Sequence, residues 1–206
     1  MSRASPPKRL HFVLQRAFEE VFEPDYVPDA PLVRFVAYAQ RHRLFGWVRL
    51  RADRLTDLVN AHDELLLTEV EIEDLEDGRL RSEDEVLIAT GELVAVQAAG
   101  PRGDSARRRR TRSHAVAMQC GGYLIGGHLH AEPGADPLAS MRQRPPMVPL
   151  TDAWIEYWSG ERRTCQGVGT IVVNREAADW IRLVNEDDLL EGILCTMPIR
   201  SSSGSA

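Results

Sequence analysis

Lysine is all but missing from this 206-residue chain: Lys8 stands alone, and every other basic residue apart from the histidines is arginine. Abundant arginine and alanine are what GC-rich coding produces, so arginine's forked geometry matters only at a defined site. Cysteine is scarce. Cys120, Cys165 and Cys195 are odd in number and widely spaced, which excludes a disulfide framework or a zinc-knuckle pattern and suits a reducing compartment. No apolar run approaches the roughly 18 residues that a membrane span requires, and the first residues lack the apolar core of a signal peptide. A cytoplasmic location with no membrane partner is therefore expected. Phosphate loops, glycine-rich nucleotide motifs and serine elbows are all missing from the sequence, so no cofactor and no catalytic residue is assigned. The net charge of −6 argues against a protein that is basic throughout.

What is present is a pattern that occurs twice. Val36-Ala37-Tyr38 through Arg43-Leu44-Phe45-Gly46 matches Val116-Ala117-Met118 through Tyr123-Leu124-Ile125-Gly126. Leu67-Thr68-Glu69-Val70-Glu71-Ile72-Glu73 matches Leu150-Thr151-Asp152-Ala153-Trp154-Ile155-Glu156, and Val86-Leu87-Ile88 matches Ile171-Val172-Val173. The offset grows only where loops fall, as small insertions in a duplicated unit would produce. On this alignment His128 and His130 stand where the first copy has Val48 and Leu50. Trp154 and Trp158 fall on the strand face that carries Glu71.

The pattern divides the chain into five parts. Residues 1–31 hold an amphipathic helix and a proline-rich linker. Leu10, Val13, Leu14, Ala17, Phe18, Val21 and Phe22 form its apolar stripe, and Pro24, Pro28 and Pro31 follow. Residues 32–99 form the first β-rich repeat, 100–113 an arginine-rich linker and 114–185 the second repeat. Residues 186–206 make a C-terminal segment, with a helical turn near Asp188–Leu194 and a disordered tail. Within the first repeat, Val33–Tyr38, Leu44–Leu50, Glu64–Leu75, Glu85–Ala89 and Glu92–Gln97 read as strands. In the third of these, Thr68, Val70 and Ile72 alternate with Glu69, Glu71 and Glu73, which implies one buried and one wet face. Arg54–Asn60 reads as a short helix or turn between the second and third strands, with Leu55 and Leu58 on one side. In the second copy Leu138 and Met141 take their places.

The first copy resembles an uncharacterised family of short bacterial β-rich domains. The resemblance rests on Gly46 in a strand, the segment Arg54-Leu55-Thr56-Asp57-Leu58-Val59-Asn60, and Leu67-Thr68 leading the next strand. Those domains carry a similar Arg-Leu-Ser-Asp-Leu-Leu-Asn segment, and no activity attaches to them. The second copy lacks the Arg, Asp and Asn of that segment.

The candidate chemistry is thin. His128 and His130, two apart on a strand, share a face and are the candidate metal ligands. The alternative is two partly exposed strand histidines. Cys165 follows Arg162 and Arg163, which would favour a thiolate, but no histidine lies close in sequence to serve it as a base. Arg54, Asp57 and Asn60 are spaced to cap their helix and hold its loop. The acidic run Glu69–Glu76 lacks calcium-loop spacing and reads as a solvated face. Arg107, Arg108, Arg109, Arg110 and Arg112 form a basic stretch able to contact nucleic-acid phosphates. It lacks interleaved aromatics, and it could equally neutralise the acidic first repeat. Phe18, Phe22, Trp154 and Trp158 are the candidate contacts for a protein partner or a second copy.

The expectation is an α+β, mainly β fold. It comprises two tandem copies of a small antiparallel domain with a short helix or turn each, packed through their apolar faces under the N-terminal helix; a single merged barrel or sandwich is the alternative. The functional expectation is a non-enzymatic interaction or regulatory module. A nucleic-acid-associated protein is the alternative, and a metal-dependent enzyme at His128 and His130 a third reading.

Overall fold

A computed structural model describes residues 30–97, 100 and 110–189. The N-terminal helix expected over 10–22, Arg107–Arg109 of the basic stretch and the tail after Leu189 lie outside those residues. The strands β1 (Leu32–Ala39), β2 (His42–Arg49), β3 (Glu64–Asp74), β4 (Leu80–Ala89) and β5 (Leu93–Gln97) form the first half. The helix α1 (Leu55–Ala61) lies between β2 and β3, and a single 3-10 turn separates β4 from β5. The second half repeats this order: β6 (Arg112–Cys120), β7 (Tyr123–Ala131), α2 (Pro137–Arg142), β8 (Met147–Ser159), β9 (Arg162–Asn174), a 3-10 turn and β10 (Trp180–Leu183).

All ten strands belong to one antiparallel sheet, ordered β10-β6-β7-β8-β9-β5-β1-β2-β3-β4. The fold is thus mainly β, as expected, but the halves do not meet face to face. They meet edge to edge, where Ala95, Val96 and Gln97 of β5 lie opposite Val173, Val172 and Ile171 of β9. Strands near this joint carry apolar side chains on both faces. Phe35, Ala37 and Ala39 of β1 enter one core, while Val36 and Tyr38 enter the other. Val172 of β9 crosses into the first core, whereas Ile171 and Val173 stay in the second. A strand buried on both faces reads as a continuous apolar run rather than as an alternation, and Val33–Ala39 has that character apart from Arg34.

The alternation in β3 breaks where the sequence reading had it continuous. Leu65 and Leu67 face the core, and then Val70 and Ile72 do. The shift happens at Glu69, whose φ of 50° places it in the left-handed region. Pairing with β2 slips at the same place, where Phe45 lies opposite Glu71 but Trp47 lies opposite Thr68. This is a β-bulge. The second half carries the same device. Asp152 has a φ of 47°, Gly126 lies opposite Trp154, and His128 lies opposite Thr151. The repeated Leu-Thr-acid segment therefore marks a bulge, and a glycine faces each one. A Cβ on Gly46 would sit 3.0 Å from the Thr68 carbonyl oxygen, and one on Gly127 would sit 3.1 Å from that of Thr151.

These registers shift the correspondence between the halves by one residue. His128 takes the place of Trp47, and Leu129, fully buried, takes that of Val48. The histidines are therefore not aligned with Val48 and Leu50, whose core places go to Leu129 and Ala131.

Beyond Thr151 towards its start, β8 runs past the end of its pairing with β7. Pro149 lies in this stretch, where the strand is paired on one side only and proline is tolerated. The unpaired backbone of Met147 is met by a side chain from the other half. Asn60 donates to the Met147 carbonyl at 2.8 Å and accepts from its N–H at 3.0 Å. The amide of Asn60 thus stands in for a neighbouring strand. Arg54 and Asp57 pair with each other at 2.9 and 3.0 Å on the exposed side. Asn60→Ala leaves a part-buried N–H and C=O unmet and is expected to cost about 1–3 kcal/mol in denaturant unfolding. Asp57→Ala breaks only an exposed pair and is expected to cost less than about 1 kcal/mol. Equal losses would contradict the cross-half role of Asn60.

Candidate functional site

A polar cluster lies at the joint between the halves, and sequence reasoning missed it. Tyr38, Tyr123 and Tyr157 stand with ring centroids 5.7 Å apart in each pair. They come from β1, β7 and β8, so no local pattern links them. The Arg43 guanidinium lies 4.2 Å from the Phe45 ring centroid and 5.5 Å from that of Tyr157, within range of cation–π attraction. It donates to the Tyr157 hydroxyl and pairs with Glu73 at 3.3 Å. Ser159 donates to the other Glu73 oxygen at 2.6 Å. Gln97 and Gln166 both donate to the Tyr38 hydroxyl, at 2.6 and 2.8 Å, and Tyr123 donates to the Ala39 carbonyl at 2.6 Å.

This cluster holds the joint rather than offering reactive groups. Burial raises the pKa of all three phenols, with the Arg43 charge opposing it, and Tyr157 is pushed up to about 12. None of the three is poised for proton transfer near neutral pH. Burial likewise pushes the Cys120 thiol up to about 12, so it is not a thiolate nucleophile. Cys165 is partly buried, beside the small cluster of Ala115, Trp154 and Leu189.

His128 and His130 do share a face of β7, but each is engaged separately. His128 Nε2 lies 3.0 Å from Glu186, and its Nδ1 lies 3.5 Å from Asp152. His130 Nε2 lies 2.8 Å from the Thr151 hydroxyl, and Arg144 donates to the His130 carbonyl. Among the described residues no three His, Cys, Asp or Glu side chains are grouped to hold a metal. The His130–Thr151 contact brings a base to a hydroxyl. The carboxylates that would orient such a base face His128 instead.

Trp154 corrects the expectation of an aromatic partner surface. It is 5% exposed. Its ring occupies the space left by Gly126 opposite it, where an added Cβ would lie 2.4 Å from Nε1. The first half has the bulk on the other strand, with Phe45 opposite Glu71. The aromatic is thus exchanged across the pair, not turned outwards. Trp158 is 56% exposed. Arg110 and Arg112 are exposed at the start of β6. Phe18 and Phe22 lie outside the described residues.

An apolar patch that the sequence reading did not single out lies on the outer face of the first half. Leu66 of β3 is directly opposite Leu87 of β4, and Trp47 lies beside them, opposite Thr68. Leu66 is 51% exposed, and Leu87 and Trp47 are each 40% exposed. Arg34 and Arg49 flank the patch on the β1 side, and Glu71 and Glu85 flank it towards β4. Apolar centres rimmed by charges mark binding surfaces.

No family model, curated protein or solved structure matches the chain. Among the described residues no helix is long and apolar enough to cross a membrane.

Burial holds His130 below its ordinary value near 6.5, and His128 and Arg144 add to the effect against Asp152. Burial lowers His42 in the same direction. The unfolded chain then takes up these protons first. Stability is expected to fall as pH drops below about 6.5 and to level off once the folded histidines protonate as well. His130→Gln, which can still meet Thr151, should shallow the decline in melting temperature between pH 7 and pH 5. An unchanged slope would remove His130 from the account.

Proposed function

We propose that this chain is a non-enzymatic interaction module that works through the outer face of its sheet. The observation that carries this reading is the contrast between its polar clusters and its apolar surface. The tyrosine–arginine cluster and Asn60 bind one half to the other. Leu66 and Leu87 meanwhile stay exposed opposite each other, with Trp47 exposed diagonally from Leu66 on the next strand. Leaving apolar area in water forgoes about 25 cal/mol per Å² of burial. A protein surface with an apolar centre would recover that energy, and the charged rim would orient it.

The two halves share their element order, pairing order and bulge, which supports their origin as copies of one unit. Their faces differ at the Phe45–Glu71 and Gly126–Trp154 pairs. A divided use follows, with the first half presenting the binding face and the second bracing it.

The test compares immobilised wild-type chain with Leu66→Arg in a lysate of the source organism. Leu66→Arg should melt with the wild type, because the side chain is already half in water. It should also lose at least one protein that the wild type retains. An identical set of retained proteins would refute the patch as the working surface.

A further inference from the structure

The joint inside the chain is itself a template for a joint between chains. In each half the fourth strand and the fifth strand form opposite borders. β9 and β10 border the second half, and β4 and β5 border the first. The internal joint pairs the fourth strand of one half with the fifth strand of the other. Among the described residues, the borders left without a strand are β4 and β10, one of each kind. We infer that β4 of one chain pairs with β10 of a second copy in the geometry of the internal joint, so that chains assemble head to tail. This inference rests on the reading of the chain as an interaction module and names its partner at the β4 border.

The register can be stated. Leu67 lies opposite Val86 in the first half as Leu150 lies opposite Ile171 in the second, so Val86–Ile88 hold the place of Ile171–Val173. On the other border, Val36 lies opposite Gln97 as Ala117 lies opposite Arg182, so Trp180, Ile181 and Arg182 hold the places of Ala95, Val96 and Gln97. Transferring the internal joint sets Trp180 opposite Ile88, Ile181 opposite Leu87 and Arg182 opposite Val86.

The side chains suit this pairing. In the internal joint Val172 crosses into the neighbouring core and is fully buried. Its counterpart Leu87 is 40% exposed, as an unfilled version of that contact would be. Trp180 is 41% exposed in the place where Ala95 is fully buried. Leu183 is exposed on the same strand. Both borders therefore carry apolar side chains where the internal joint buries them. The charges agree as well, since the acidic run Glu83-Asp84-Glu85 immediately precedes Val86, the residue that would face Arg182. A border with free backbone groups and apolar side chains is a ready site for strand addition. Because the two surfaces differ, the contact is heterologous, and it builds a ring or a filament rather than a two-fold dimer.

The test is sedimentation and light scattering of the full chain over a concentration series. The wild type should form species larger than a dimer as concentration rises. Leu87→Arg disables β4 and Trp180→Asp disables β10, so each alone should remain monomeric with an unchanged circular dichroism spectrum. Mixed together, they retain one good β10 and one good β4, and should form a dimer that grows no further. A symmetric β4–β4 contact would let Trp180→Asp dimerise by itself and would overturn the inference, as would a wild type that is monomeric throughout. Either result leaves the Leu66→Arg comparison standing on its own. As a second measurement, Leu87→Cys mixed with Ile181→Cys should form an interchain disulfide mapped to those positions under oxidation. Leu80→Cys mixed with Ile181→Cys should not. Equal cross-linking of both mixtures would reject the register.

Discussion

The antiparallel contact between β5 and β9 is the constraint on which the rest of this structure depends. It is short, with Ala95, Val96 and Gln97 opposite Val173, Val172 and Ile171. Yet it turns two five-stranded units into one sheet with two cores on opposite faces of its central strands. Neither unit is a large domain, and small domains bury too little surface to be robust alone. Sharing β1, β5 and β9 between the cores gives each unit apolar partners that its own residues do not supply.

Two further devices hold that arrangement. One is the polar cluster of Tyr38, Tyr123, Tyr157, Arg43 and Glu73, whose bonds run from each half to the other. A buried cluster of this kind is tolerable only when its groups find partners, and four of these bonds form only once the joint has formed. The other is Asn60, which gives the open side of β8 the donor and acceptor it lacks. Of the Arg54, Asp57 and Asn60 set, Arg54 and Asp57 pair locally while Asn60 reaches across the molecule.

A joint made from two unlike borders leaves two unlike borders unpaired among the described residues. That consequence is geometric and independent of any particular side chain. The side chains then decide whether the free borders are blunted or open. Here β4 mixes acidic residues with exposed Leu66 and Leu87 in its vicinity, and β10 is short but carries Trp180 and Leu183. The surface through which we propose that the chain interacts is thus the same one on which we infer a second copy as one partner.

Local chemistry was legible in the sequence wherever it acts over a few residues. Runs rich in β-branched and aromatic residues identified the first strands, alternation identified β3, the Leu55 and Leu58 spacing identified α1, and the matched segments fall on strands that come in the same order in both halves of the chain. The repeated Leu-Thr-acid segment was visible too, but its meaning was not. A residue at positive φ shifts the facing pattern by one, and composition carries no record of that shift. This is why Thr68 was grouped with Val70, and why His128 was set against Val48 rather than Trp47. Trp154 looked like a surface aromatic because the space that receives it is made by Gly126 on another strand. The tyrosine cluster, the reach of Asn60 to Met147 and the exposed Leu66–Leu87 pair all join positions distant in sequence. Periodicity determined which faces were apolar. Only the pairing of strands decided which of those faces were covered, because burial belongs to the neighbour as much as to the residue.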